Sequence, residues 1–89
     1  MNSWKVEYSP GAEKILNKLD PKVVEHIFRR LEWLAEHFDE IDATPLHHDL
    51  KSFFKFRIGD WRIAYKPDHS HRVLWIHDLD RRDKIYKRT

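Results

Sequence analysis

Apolar and polar residues alternate at the start of the chain. Trp4, Val6 and Tyr8 are separated by Lys5 and Glu7, which predicts a first strand. Ser9-Pro10 follows, an N-cap with proline at the first helical position. Ala12, Ile15, Leu16 and Leu19 recur at helical spacing and predict a short helix over about 10–18. Asp20-Pro21 repeats the start signal. Val24, Ile27, Phe28, Leu31, Leu34, Ala35 and Phe38 then form one stripe of a long helix reaching about residue 38. Helices joined so closely predict a helical hairpin. Trp33 lies opposite the stripe, either as an exposed interface anchor or folded over the following loop.

Residues 39–50 are polar with one proline and read as a loop. Strands are predicted at about 51–58, 61–66 and 72–78, with Pro67-Asp68-His69-Ser70 marking the last turn. The stretch 53–65, FFKFRIGDWRIAY, is the most informative. A Gly59-Asp60 link between alternating runs is a hairpin signal. Pairing across it sets Ile58 against Trp61, Arg57 against Arg62 and Lys55 against Ala64. Lys55, Arg57 and Arg62 then share one face, while Phe54, Phe56, Ile58, Trp61, Ile63 and Tyr65 share the other. Like charges directly opposite are destabilising, so Arg57 against Arg62 asks for a counter-charge, for which a phosphate is the obvious candidate. A merely solvated face would carry carboxylates among its cations, and none lies among these three. The order strand, helix, helix, three strands predicts one α+β domain over residues 1–89. Its expected form is a small antiparallel sheet with an N-terminal strand and a two-helix hairpin packed on one face.

Composition narrows the function classes. The 89 residues are 40% hydrophobic and 36% charged, a balance expected of a folded domain. No run approaches the ~18 apolar residues of a membrane span, and no signal-peptide pattern opens the chain. There is no cysteine, which removes disulfides and thiolate chemistry. A cytoplasmic setting with no membrane partner is expected. The charge is uneven: residues 1–50 carry six Lys/Arg and ten Asp/Glu, residues 51–89 eleven and five. The basic C-terminal half points to a polyanion. The tail from Arg81 to Arg88 adds more cations around Ile85 and Tyr86, and Tyr86 could stack on a base. The seven histidines suggest no metal site, because neither cysteines nor a helical i, i+4 histidine pair accompanies them. His77 is a candidate acid/base group, although a hydrogen-bonded histidine at the end of a strand is the favoured reading.

Taken together, WKVEYSPGAEKILNKLD, VVEHIFRRLEWLAEHF, PLHHDLKSFFKFRIGDWRIAY and RRDKIY resemble the RelE/ParE toxin superfamily, in its RelE-like branch, over almost the whole chain. The third segment is the most specific. The resemblance implies the RelE-like β-α-α-β-β-β fold and the toxin of a type II toxin–antitoxin system. It implies a ribosome-dependent mRNA endoribonuclease that cuts in the A site by 2′-hydroxyl attack and needs no cofactor or metal. The implied partners are a cognate antitoxin, with a heterotetramer as one expected assembly, and the ribosome with its mRNA. Carried over by position, the catalytic set is Lys55, Arg57, Arg62, Arg82 and Tyr86, with Lys51, Arg81 and Lys84 binding substrate. Arg57 stands where some members have lysine, and Arg81 where many have histidine. Arginine does not deprotonate usefully, which leaves Lys55 as a base, Tyr86 for stacking or proton transfer, and His77 behind them. The alternatives are a ParE-like toxin that inhibits DNA gyrase without cutting RNA, and an inactive relative that only binds.

Overall fold

Two capped, proline-led starts organise the N-terminal half of the computed structural model, which describes residues 4–41, 44–45 and 53–81. Strand β1 runs Lys5–Tyr8 and helix α1 Pro10–Leu16. The Ser9 hydroxyl accepts the Ala12 N–H (3.0 Å) and donates to the His77 carbonyl (2.8 Å). One side chain thus caps α1 and pins it to the last strand. Asp20 accepts the Lys22 N–H (2.8 Å) and opens α2, Pro21–His37. A single 3₁₀ turn, Phe38–Glu40, ends it.

Four more strands follow: β2 Thr44–Pro45, β3 Phe54–Ile58, β4 Trp61–Asp68 and β5 Val73–Arg81. They lie in the order β1-β5-β4-β3-β2. The α+β layout matches the expectation, with one correction: the sheet is mixed. β1 runs parallel to β5, pairing Lys5 with Val73 and Tyr8 with Ile76. Alternation reveals a strand but not the direction of a partner so far along the chain. The two-residue β2 lies inside the expected loop and pairs with β3. β4 continues through Pro67 to pair with β5 down to Asp68. Among the described residues the β3–β4 pairing stops at Tyr65, so Pro67 sits where a missing N–H is tolerated.

The core lies between the helices and one side of the sheet. Ile27, Leu31 and Leu34 of α2 and Ala12 and Leu16 of α1 pack with Ile58, Ile63, Tyr65, Leu74, Ile76 and Leu79. Burial pushes the Tyr65 phenol up to about 12, so it stays neutral. Phe28 departs from its place in the apolar stripe: it is 41% exposed, against the Tyr8 ring at 5.5 Å. Trp33 is 38% exposed and stacks on His37 (4.5 Å). The Arg30 guanidinium lies 4.9 Å from the Trp33 ring and 5.6 Å from that of Phe56. Trp33 therefore belongs to a side cluster joining α2 to β3. At the far end of the sheet Asp39 accepts from Trp4 Nε1 (3.0 Å) and Arg72 (2.6 Å).

Candidate functional site

The β3–β4 hairpin has the register its sequence predicts: Ile58 against Trp61, Arg57 against Arg62, Lys55 against Ala64. Gly59 supplies the turn with φ 57°, a conformation that suits a residue without Cβ. Ile58, Ile63 and Tyr65 point into the core. Period-two alternation therefore places Lys55, Arg57 and Arg62 on the side away from the helices. Arg57 is exposed, with its Nε–H donating to the Gly59 carbonyl (3.4 Å). Lys55 and Arg62 are half-buried.

Strand β5 adds what the hairpin alone does not show. Leu74 and Ile76 are buried, and the next buried residue is Leu79. The inward period of two slips by one between them. The pairing shows the cause: Tyr65 faces Ile76 while Ala64 faces Asp78, leaving His77 as the extra residue of a β-bulge. Beyond the bulge Asp78 and Asp80 point outward, and Asp80 stands directly across from Arg62. Asp78 faces Ala64, which faces Lys55 on its other side. The face expected to hold cations without carboxylates is thus a mixed one. Asp80, across the ladder from Arg62, places a carboxylate on this face and accepts the Arg81 N–H (2.7 Å). Reading the period break at His77 would have placed these carboxylates, but only with the β4–β5 register in hand.

The structure brings Lys55, Arg57 and Arg62 together and sets Arg81 apart. Arg81 pairs with Trp61 on the helix side, its guanidinium 5.6 Å from the indole. Lys51, Arg82, Lys84 and Tyr86 lie outside the described residues. His77 is not at a strand end as expected. Its ring lies 4.7 Å from that of Phe53, and Lys66 Nζ is 5.9 Å from the same phenyl ring. Ala64 is fully buried despite facing outward, so its neighbours close over it. Among the described residues no three His, Asp or Glu groups are placed to share a metal ion. No described helix is long and apolar enough to cross a membrane.

Two helices backing a mixed sheet, whose outer face gathers Lys55, Arg57 and Arg62 beside Asp78 and Asp80, define a small α+β domain. The family model for the ParE toxin of the type II toxin–antitoxin system, parDE, matches residues 6–86, and the chain belongs to this family within the RelE/ParE superfamily. It is 30% identical to Toxin RelG of Mycobacterium tuberculosis over 89 residues, covering 96% of this chain and 98% of that one. The fold is similar to that in the RelBE2 toxin–antitoxin complex of Mycobacterium tuberculosis: TM-score 0.79 and 25% identity over 92% of this chain and 94% of that one. It is also similar to the isolated Escherichia coli RelE toxin: TM-score 0.73 and 18% identity over 97% and 94% of the two chains. The chain is thus a type II toxin.

Proposed function

We propose that this toxin is a ribosome-dependent mRNA endoribonuclease, cutting in the A site by attack of a ribose 2′-hydroxyl on the adjacent phosphate. The observation that carries this reading is Arg57 directly opposite Arg62, with Lys55 on the same strand and the same side, on the sheet face away from the helices. Such a cluster binds phosphate and stabilises the extra negative charge of a phosphorane-like transition state. Arg82 and Tyr86 complete the proposed site. The chemistry asks mainly for positioning. Cutting of free RNA is expected to be weak, with the ribosome supplying substrate geometry. An antitoxin like that in the RelBE2 complex is the proposed partner.

The family model's ParE description favours a second reading, gyrase inhibition without RNA cleavage. Mapping mRNA 5′ ends after brief induction separates the two, with an Arg62→Ala/Arg82→Ala double variant beside the parent. Cuts inside translated codons that vanish in the variant are expected. Growth arrest without such cuts points to gyrase, and cuts that persist in the variant move the site elsewhere.

A further inference from the structure

The β5 bulge sets two consecutive side chains, His77 and Asp78, on the outer face of the sheet. His77 is the unpaired residue between Ile76, which faces the core, and Asp78, which faces outward. Bulges often re-aim side chains beside active sites. The Phe53 ring shows which way His77 is aimed. Phe53 immediately precedes β3, its ring lies beside outward Lys66 (5.9 Å), and its ring centroid is 4.7 Å from that of the imidazole. The His77 side chain thus reaches across β4 toward the start of the strand that carries Lys55 and Arg57. The His77 carbonyl takes the Ser9 hydroxyl (2.8 Å), which anchors the backbone there and leaves the imidazole out of that bond.

We propose that His77 is a catalytic residue of this site, its neutral imidazole taking the proton from the attacking 2′-hydroxyl while Lys55, Arg57 and Arg62 hold the phosphate. The inference rests on the endoribonuclease reading and deepens it. As the proton passes to the imidazole, the O2′–P bond forms and the P–O5′ bond breaks. The leaving 5′ oxygen takes a proton from water, the imidazolium returns one to solvent, and the products are a 2′,3′-cyclic phosphate and a 5′-hydroxyl. The other side chains suit this step less well. Guanidinium groups keep their protons. Among the described residues, the charged groups of the strands on the same side of the sheet as His77 are Lys55 and Arg57 on β3, Arg62, Lys66 and Asp68 on β4, Asp78 and Asp80 on β5, and Lys5 and Glu7 on β1.

Single-turnover cleavage of a defined mRNA on purified translating ribosomes, followed between about pH 6 and 8.5, tests this. Imidazole is the side chain that ordinarily changes charge in this region. The parent rate is expected to rise from the acid end and level off. His77→Ala is expected to lose about 10²–10⁴-fold, to lose that rise, and to regain rate on adding free imidazole. His77→Gln, which keeps a side chain against Phe53, is expected to lose as much with no rescue. Melting curves show that each variant is folded. Variants that cleave within a few-fold of the parent with its pH profile, beside an inactive Arg62→Ala, would remove His77 and leave the endoribonuclease reading standing. A parent that does not cut on ribosomes would overturn both.

Discussion

Arg57 and Arg62 face each other directly across the β3–β4 ladder, two like charges held side by side by the hairpin register. Cross-strand pairs of this kind are worth up to about 1 kcal/mol. Arg57→Gln is therefore expected to leave stability unchanged or raise it by a few tenths to about 1 kcal/mol at low salt, while mRNA cleavage falls. Melting curves at two salt concentrations check this, since screening should shrink any gain. A clear loss of stability would show that the Gly59 carbonyl contact outweighs the repulsion.

Two carboxyls give the fold an acid limit. Hydrogen bonds from Ser70 and then His71 hold Asp68 down to about 2 from an ordinary 3.8. Hydrogen bonds from Arg72 and then Trp4 lower Asp39. A depressed carboxyl contributes stability above its unfolded-state value and loses it as pH falls through the folded one. The melting temperature should thus be level on this account above about pH 5 and drop between about pH 4 and 2. Asp39→Asn/Asp68→Asn is expected to melt lower at neutral pH and to show a shallower acid drop. A parallel acid limb in the double variant would assign the effect to other groups.

Leu31 is fully buried at the centre of α2. Leu31→Ala removes several buried methyl and methylene groups and should cost about 2–5 kcal/mol, read from urea unfolding.

Gly59 sits at φ 57°, and a Cβ there would meet no atom within 4 Å. Gly59→Ala should therefore cost only the backbone conformation, roughly 1–2 kcal/mol. Gly59→Asn should cost less, because asparagine tolerates this region. Chemical unfolding of the two variants side by side tests the order.

The legible parts of the molecule were those with a short sequence period. The hairpin register around Gly59-Asp60 followed from alternation and a two-residue turn, and the proline-led starts at Ser9 and Asp20 marked both helices. The parallel partner of β1 was hidden because it lies 68 residues away, from Tyr8 to Ile76. The carboxylates beside Arg62 were hidden because a bulge at His77 shifts the phase of β5, and a single strand does not show which phase faces out. Phe28 fits the helical period but lies at the edge of the buried stripe, where the spacing is right and the covering layer has ended.

The parallel seam between β1 and β5 has a consequence for biosynthesis. The first strand to leave the ribosome can be paired only when nearly the last described residues have followed it. Contacts this distant in sequence are slow to form because loop closure precedes any gain. A chain terminated before Val73 has no strand for β1 to join and lacks Leu74, Ile76 and Leu79 from its core. Truncated translation products should therefore be unfolded debris rather than partial toxins.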